Sequence, residues 1–486
     1  MLGLQITDRI KKLYAGKSMR SLALKGGFWL GAGSGLEYGL RFLRNIILAR
    51  LLVPESFGLM AIVLAVNTGL GAFTYIGINE AVIQSPDGGE ETYLNAAWWL
   101  SLIRSVGLFA LAVIALPWVV SFYSVEQYSA MFLVSFLSII FTGAMSARAY
   151  IAQKEMDFKK WMLISNGGAA IGILTAIGLT FWLHSIWALV IGYVMEAAGR
   201  CLLSFIICPH LPRLHFSKVH TRALWKYASG MFGLPVLYFL FREVDVFVIG
   251  KLLSKRELGL YSMAVKLAQM PVLMVSTIIN PLLMPMFSVK QADKQWINHA
   301  LIKSTGIILL AGSPLVCFFA LYGKDLLTAV YGPQYAAVAM PFAILLAATL
   351  FRTVSTPITN VYFAIGKPQL QRFFLMIRAV LMVLIIYPAV RFLGLTGAAC
   401  AGLFSMLAAY FFQVLRIWGL GYLDIRRYGT IFLYGIVASM IVFAVWYAAG
   451  RMPLQPIHNM LVGFTWCAAA YVFLGAIAFK IYRKAA

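Results

Sequence analysis

The chain has 486 residues, of which 62% are hydrophobic and only 12% are charged, and its mean hydropathy is +0.85. Soluble domains carry about 25% charged residues, so this composition excludes a soluble globular protein and indicates a chain that crosses a membrane many times. The net charge of +23 does not indicate nucleic-acid binding. Most Lys and Arg residues lie in short loops between apolar segments, as the positive-inside rule predicts for membrane proteins.

Fourteen apolar segments are long enough to cross a bilayer, which needs roughly 20 apolar residues per helix. They predict an all-α integral membrane protein. The connections between them are too short for a folded extramembrane domain, so a catalytic domain on a membrane anchor is not expected. In chain order the segments run over 27–50, 57–78, 96–120, 129–151, 162–183, 185–208, 228–252, 259–287, 299–322, 337–365, 373–394, 396–417, 429–449 and 459–481.

The second half of the chain repeats the first. Residues 149–162 are similar to residues 361–374, at matching places among the apolar segments. Two lobes of this kind are the usual basis of alternating access in transporters. The stronger match, between 47–66 and 248–267, has a constant offset of 201, with identities at Leu51/Leu252, Leu52/Leu253, Gly58/Gly259 and Leu59/Leu260.

This repeat predicts a domain organisation. We expect two six-helix lobes over 27–208 and 228–417, related by a parallel repeat, and two further helices within 429–481. Residues 209–227 are the predicted cytoplasmic linker between the lobes. Residues 1–26 are a basic cytoplasmic segment, which either lies as an amphipathic helix on anionic membrane lipids or forms a solvated tail.

The distribution of Lys and Arg predicts that both termini are cytoplasmic. With this orientation, the predicted outer loops 51–56, 121–128 and 184–185 contain neither residue. The acidic loop 79–95 is the exception, since it lies on the cytoplasmic side without a base, but acidic residues contribute little to the rule.

Charged residues deep inside the apolar segments are the candidate functional residues. A charge at the centre of a bilayer costs on the order of 3 kcal/mol, so it persists where it faces protein, water or a partner charge. Three sets contain an acid and a base spaced to share a helix face. They are either self-neutralised ion pairs or groups that separate when a substrate or proton arrives. The pairs are Glu37 with Arg41, Glu196 with Arg200, and Arg242 with Asp245, next to Glu243.

Other deep bases have no acid nearby in the sequence, and bases outnumber acids in the predicted membrane interior. Four of them lie close enough to helix ends to reach the interface instead: Arg44, Arg104, Lys266 and Arg378. That explanation fails for Arg41, Arg242 and Arg352, which lie near the middle of their segments. A cationic interior suits an anionic substrate, and Arg binds phosphate through paired hydrogen bonds.

Signatures of catalysis and metal binding are absent from the sequence. We find no Walker A or HExxH motif, and the five cysteines lie in apolar segments without a CxxC pair. We therefore expect no catalytic residue, no metal and no cofactor, and interpret the cysteines as packing residues.

Three motifs in order along the chain resemble Wzx-type polysaccharide flippases, of the multidrug/oligosaccharidyl-lipid/polysaccharide exporter superfamily. The motifs are LARLLVPESFGLMAIV at 48–63, AQKEMDFKKW at 152–161 and VDVFVIGKLLSKRELGLYSMAVKLAQMP at 244–271. The resemblance implies a transporter of undecaprenyl-pyrophosphate-linked oligosaccharides in the bacterial inner membrane, working with a polysaccharide polymerase and export machinery.

The resemblance also implies how such a protein would work. Energy would come from an H⁺ or Na⁺ gradient without an ATP site. Arg41, Arg242, Arg352 and Arg378 would face the pyrophosphate or acidic sugars, joined by the other deep bases. The ion-coupling candidates are Glu37, Glu196, Glu243 and Asp245, the last lying where such proteins often have an acid in the seventh helix.

Two alternative functions stay open at this point. A drug or cation antiporter of the same superfamily would need an anionic cavity, against which the excess of deep Arg argues. A membrane-embedded polysaccharide polymerase or ligase normally needs a sizeable outer loop, and the predicted outer loops are short.

Overall fold

The computed structural model describes residues 19–73, 77–213, 224 and 234–449. Within these ranges the regular secondary structure is sixteen α-helices and three short 3₁₀ helices. The chain divides into two compact units, Met1–Phe239 and Leu240–Ala486. The all-α architecture predicted from composition is therefore observed throughout the described part of the chain.

The first unit contains helices α1 to α8. They are α1 (Met19–Leu51), α2 (Pro54–Phe73), α3 (Ile78–Gln84), α4 (Glu91–Tyr123), α5 (Ser129–Gly143), α6 (Arg148–Lys154), α7 (Phe158–Leu183) and α8 (Trp187–Ile207).

Helix α9 (Leu234–Leu252) begins at the end of the first unit and continues into the second. The remaining helices of the second unit are α10 (Lys255–Val289), α11 (Lys294–Leu321), α12 (Gly323–Tyr331), α13 (Ala339–Val354), α14 (Thr356–Ala364), α15 (Pro368–Gly419) and α16 (Ile425–Ala449).

Eight helical segments of the described ranges are long and apolar enough to cross a membrane, or nine if the bent pair α5–α6 is one span. Large apolar side chains such as Trp182 and Leu174 lie exposed on these helices, 88% and 70% accessible, as lipid-facing residues do. The chain is a multi-pass membrane protein. The predicted total of fourteen spans stays a prediction, since span 459–481 and residues 1–18 lie outside the described residues.

The repeat found in the sequence coincides with matching helix ends. Helix α1 ends at Leu51 and α9 at Leu252, while α2 begins at Pro54 and α10 at Lys255; both pairs differ by 201. The two units begin the second helix by different means. The first places Pro54 at the first helical position, where its missing N–H has no partner to lose. The second uses a capping box between Ser254 and Glu257.

The second sequence similarity corresponds to a shared turn, but the alignment needs a correction. Met156 and Gly366 both adopt positive φ, 59° and 70°. The next residue donates its N–H to a carbonyl five residues earlier, Asp157 to Ala152 and Lys367 to Tyr362. The structural offset is therefore 210, two fewer than in the pairing of 149–162 with 361–374. Identical Tyr and Ala residues favoured the longer offset, although the turn is set by backbone hydrogen bonds.

A span predicted as one helix over 129–151 is broken. Helices α5 and α6 meet at a bend of 62°. At the break, the Ser146 N–H donates to the hydroxyl of Ser204 (2.9 Å), and the Ser146 hydroxyl donates to the carbonyl of Cys208 (2.8 Å). These bonds replace helical ones and fasten the break to the end of α8, which apolar periodicity does not reveal.

Helix α15 is a hairpin of two helical segments. Gly394, at φ 57° and ψ −136°, interrupts the helical backbone. The chain then folds back on itself. Contacts between the two segments show this: the Gln413 amide donates to Gln371, and the Ser405 hydroxyl lies 3.8 Å from the Met382 sulfur. The two segments contain the predicted spans 373–394 and 396–417, and their facing sides line part of the candidate site.

Candidate functional site

Four charged side chains form a cluster in the first unit, two from α1 and two from α8. The Arg41 guanidinium donates to Glu37 on its own helix (Nη2 to Oε1, 2.9 Å) and to Glu196 on α8 (Nη1 to Oε2, 3.2 Å). Arg200 lies 2.8 Å from Glu196 and 3.6 Å from Glu37. The two predicted local pairs are therefore both present and joined into one neutral cluster of two acids and two bases.

Glycines on α7 allow α8 to carry its half of this cluster. A Cβ at Gly172 would lie 2.5 Å from the Glu196 Cβ and 2.6 Å from the Gly192 carbonyl oxygen. A Cβ at Gly168 would lie 2.2 Å from the Arg200 Cγ. Small residues allow membrane helices to approach closely, so these two glycines set the position of Glu196 and Arg200.

The remaining deep bases of the first unit lie near this cluster or on a backbone carbonyl. Arg44 lies close enough to Arg41 and Glu196 for their charges to interact, and its Nη2 is 3.3 Å from the Asn45 side-chain oxygen. Arg104 on α4 lies 3.4 Å from the Gly71 carbonyl oxygen at the end of α2. In this position its charge solvates a helix terminus.

In the second unit the predicted pair of Arg242 with Asp245 is not formed. The Arg242 Nε lies 3.4 Å from Glu243, and the Arg242 side chain is 72% exposed. Asp245 instead accepts a hydrogen bond from the Tyr261 hydroxyl (3.3 Å) and one from the Val246 N–H (2.9 Å). The Asp245 carboxylate is therefore hydrogen-bonded to a tyrosine of the next helix and is not paired with Arg242. Lys266 lies close enough to Glu243 for their charges to interact.

Two neighbouring cavities of the second unit share Arg352 and Arg378 in their walls. The first, which we name the Asp245 cavity, is also lined by Arg242, Asp245, Tyr261, Gln269, Thr349 and Ser405. The second, which we name the amide pocket, is also lined by Ser355, Thr356, Thr359, Gln371, Phe374, Leu375, Met406, Ala409 and Gln413. The two arginines predicted from α13 and α15 are therefore brought together with Arg242 and Asp245.

A break in the helix path forms part of the amide pocket. Helix α13 ends at Val354, α14 begins at Thr356, and Pro357 follows at an early helical position. Pro has no N–H and interrupts a helical ladder. Arg352 lies in the last turn of α13, directly before this break. No carboxylate of the described residues lies within ion-pair distance of its guanidinium.

Sequence reasoning missed the uncharged members of this pocket. Ser355 donates its hydroxyl proton to the Gln413 side-chain oxygen (2.6 Å), and the Gln413 amide donates to the Gln371 oxygen (3.2 Å). Thr359 lies 3.2 Å from the same Gln371 oxygen. The signal was the presence of amide side chains beside or within apolar spans, which a search restricted to charged residues passes over.

No group of three His, Cys, Asp or Glu side chains in the described ranges could hold a metal ion. Of the predicted acids, Glu37 and Glu196 belong to the neutral cluster of the first unit. In the second unit, Asp245 lines a cavity and Glu243 lies 3.4 Å from Arg242. Such a distribution of charges defines a class of protein: a multi-pass helical membrane protein with polar sites between its helices.

Comparison with known families gives the particular family. The family of polysaccharide biosynthesis proteins matches residues 47–340, more than half of the chain. The chain belongs to this family. The resemblance predicted from the three motifs is therefore confirmed at the level of polysaccharide biosynthesis.

Two relatives agree with this assignment, and a solved structure has the same fold. The succinoglycan biosynthesis transport protein ExoT of Rhizobium meliloti is 27% identical over 62% of this chain and 60% of its own length. The lipopolysaccharide biosynthesis protein WzxC of Escherichia coli is 22% identical over 89% of this chain and 88% of its own length. The lipid II flippase MurJ, in an inward closed conformation, has the same fold, with a TM-score of 0.74 at 14% identity over 93% of this chain and 99% of its own.

Proposed function

We propose that this protein flips undecaprenyl-pyrophosphate-linked oligosaccharide repeat units across the bacterial inner membrane, for exopolysaccharide, capsule or O-antigen biosynthesis. Membership of the polysaccharide biosynthesis family supports this, as does the similarity to a relative named a transport protein. Both support a transporter over an enzyme. The glycan would pass on to a polysaccharide polymerase and export machinery.

One observation carries the proposal: Arg352 and Arg378 line two adjoining cavities among the helices of the second unit. Burying a charge without a counter-charge is costly, and Arg352 has no carboxylate partner among the described residues. An anionic substrate compensates this cost when it binds. Each phosphate of a pyrophosphate, like the carboxylate of an acidic sugar, presents two oxygens that an Arg guanidinium can bind through two parallel hydrogen bonds.

The proposed architecture is fourteen helices, as two six-helix lobes and two C-terminal helices, with both termini cytoplasmic. Alternating access by the two lobes would carry the head group across. Energy would come from an H⁺ or Na⁺ gradient through Glu37, Glu196, Glu243 or Asp245, without a cofactor. Arg41, Arg44, Arg104, Arg242 and Lys266 complete the set of deep bases proposed to serve the substrate.

A second candidate is a drug or cation antiporter of the same superfamily. Asp245 favours it, because this acid lines a cavity. Three arginines line the same cavity and disfavour a cationic substrate there. A membrane-embedded polymerase or ligase is the third candidate, and we place it last because the outer loops predicted from the sequence are too short for it.

The position of accumulated lipid-linked oligosaccharide tests the proposal. In a strain that lacks this protein, we expect lipid-linked repeat units to accumulate on the cytoplasmic face of the inner membrane. Loss of a polymerase or ligase would instead accumulate them on the outer face, and loss of a drug antiporter would leave them unchanged. Either of those two results would overturn the proposal.

A further inference from the structure

We infer that the first and last turns of helix α15 together bind an anionic phospholipid of the surrounding membrane, with its phosphate on Arg416. The binding surface, which we name the α15 groove, lies between residues 370–374 and 412–419 and has a volume of about 460 Å³. Phe374 is shared with the amide pocket, whereas neither Arg352 nor Arg378 is among the described residues of the groove. The ligand is a lipid of the bilayer, whatever molecule the protein transports.

The sequence places the walls of the α15 groove on one face of each arm of the hairpin. Both arms have wall residues at positions i, i+3 and i+4, which share a helix face. The reversal of the chain at Gly394 sets these two faces side by side. The first arm contributes Leu370, Phe373 and Phe374, and the second contributes Phe412, Leu415, Arg416 and Gly419.

The groove is open toward the membrane. Phe373 and Phe412 are large and apolar, yet they are 51% and 44% exposed, and exposed apolar surface of this kind is a site of membrane or partner contact. Trp418 is 51% exposed near the end of the same helix, and Trp collects at the level of lipid headgroups. Arg416 is two residues away, about 3 Å along the helix axis, so it lies near the depth of lipid phosphates.

Arg416 gives the otherwise apolar groove a charged end. Its side chain is exposed, and no Asp or Glu is among the described residues that line the groove. A guanidinium has five N–H donors, and none of them has an acceptor among the described residues. Basic pockets between membrane helices on the cytoplasmic side bind anionic headgroups. The orientation predicted from the sequence places this end of α15 on that side.

Neighbouring charges favour an anion at this end of the helix. The C-terminal end of a helix is partly negative and would repel a phosphate. Lys294 offsets this charge, since its Nζ donates to the Leu420 carbonyl at 3.2 Å. The acid that follows, Asp424, accepts from the Arg426 N–H at 3.0 Å and lies 3.6 Å from the Arg427 Nε. Asp424 is therefore engaged by its own neighbours, and the charge of Arg416 stays available to a ligand.

The number of charges favours a phospholipid over the lipid-linked substrate of the proposed function. Both have a phosphate joined to an apolar chain, so both match the general chemistry of the groove. The phosphodiester of a phospholipid carries one negative charge, and Arg416 is the one base among the described residues of the wall. A pyrophosphate carries more charge and would need further bases to neutralise it. The apolar residues of the groove would then pack against an acyl chain.

Native mass spectrometry of the purified full-length protein in detergent tests the inference, with phosphatidylglycerol and phosphatidylethanolamine as probes. We expect wild-type protein to retain one phosphatidylglycerol. It should retain roughly 10-fold less phosphatidylethanolamine, the effect of about one charge-assisted hydrogen bond. Equal retention of the two lipids would overturn the inference.

Arg416→Gln is the decisive variant, because it keeps the length of the side chain and removes its charge. We expect it to retain phosphatidylglycerol no better than phosphatidylethanolamine. Arg426→Gln is the matched control, since Arg426 is exposed near the same end of α15 and is not among the residues that line the groove. It should retain phosphatidylglycerol as wild type does. Equal losses in the two variants would show a general attraction to surface charge and would overturn the site.

Gly419→Phe tests the apolar part of the groove without a change of charge. A Cβ at Gly419 has no atom within 4 Å, so the new ring can enter the groove and should displace the acyl chain, with a loss of bound phosphatidylglycerol. Gly429→Phe adds the same ring at another open position and should have no effect. Wild-type retention in Gly419→Phe would overturn the groove as the binding surface.

Undecaprenyl pyrophosphate, added as a competitor, separates the two sources of lipid phosphate. We expect an excess of it to leave the phosphatidylglycerol bound at Arg416 in place. Displacement that is lost in Arg416→Gln would assign the groove to the transported lipid and overturn the inference. None of these measurements depends on export. A deletion strain without accumulated lipid-linked oligosaccharide would overturn the proposed function alone.

Discussion

The Arg41 guanidinium contacts two carboxylates on different helices, Glu37 on α1 and Glu196 on α8. Arg41 and Glu196 are 155 positions apart in the sequence. The charge of Arg41 is therefore neutralised in this conformation. If Arg41 binds substrate, as the sequence predicts, it must exchange a carboxylate for the ligand, and Glu37 and Glu196 are the groups that would then be released.

Removing Arg41 alone should destabilise the first unit. Arg41→Gln leaves two carboxylates with Arg200 as the one described base in ion-pair contact with them, while Arg44 interacts with Glu196 only at longer range. Breaking one partner of a buried ion pair costs about 3 kcal/mol. Denaturant unfolding of the purified protein in detergent micelles measures this loss. Arg41→Gln combined with Glu196→Gln restores charge balance and should recover part of the stability. A double variant no more stable than the single one would show that charge is not the cause.

The close approach of α7 and α8 gives a second prediction. In Gly172→Ala the new methyl meets the α8 backbone, so the helices must separate, and overpacking of this kind costs about 2 kcal/mol. Gly178→Ala is the matched control on the same helix, because nothing lies within 4 Å of its Cβ position. That control should be neutral or up to about 1 kcal/mol more stable, since Ala is the better helix former. Equal stability changes in the two variants would contradict the packing explanation.

Comparison of sequence and structure shows what local spacing can and cannot reveal. The i,i+4 spacing of Glu37 with Arg41 predicted a pair that the structure contains. Sequence spacing could not predict the contact of Arg41 with Glu196 on α8. That contact depends on how helices far apart in the sequence pack, and glycines allow that packing. Spacing also misassigned Arg242 to Asp245, because a Tyr261 hydroxyl from the following helix takes the carboxylate.

The amide pocket illustrates the same limit in a different way. Gln371 and Gln413 belong to opposite arms of the α15 hairpin, and they meet because the chain reverses at Gly394. A search of the sequence for charged residues finds neither glutamine. Only the tertiary fold shows that these two amides contact each other and that Arg352 and Arg378 line the same pocket.

The start of α10 gives a prediction about the repeat. Ser254→Ala removes the hydroxyl that accepts from the Glu257 N–H at 3.2 Å, and loss of such a cap costs about 1 kcal/mol. Ser262→Ala, within the same helix, removes a hydroxyl that only donates back to the Gly259 carbonyl, and should cost less. Denaturant unfolding of both purified variants measures the difference. A larger loss for Ser262→Ala would argue against capping as the role of Ser254.

Reporter fusions test the predicted orientation. Alkaline phosphatase, which is active only outside the cytoplasm, should be active when fused within loop 121–128 and inactive when fused within 152–161 or at the C-terminus. The reason is that the first loop contains no Lys or Arg, whereas 152–161 contains three lysines. A cytoplasmic fluorescent protein should give the reverse pattern. Phosphatase activity at the C-terminus would contradict an even number of spans with both ends inside.

Export should depend on the geometry of Arg352 as well as on its charge. Arg352→Ala removes both and should abolish most export at normal expression, measured as surface polysaccharide. Arg352→Lys keeps the charge but lacks the planar guanidinium that binds an oxyanion through two hydrogen bonds, so we expect only partial recovery of export.

Arg378→Ala should reduce export as well. The double variant with Arg352→Ala should lose less than the sum of the two single losses, because both side chains line the same cavities and would bind one ligand. Arg391→Ala, at an exposed position of the same helix as Arg378, should export normally. Full export in both cavity variants would leave the shared arginines without a role in substrate binding, while loss of export in Arg391→Ala would point to general damage to α15 instead.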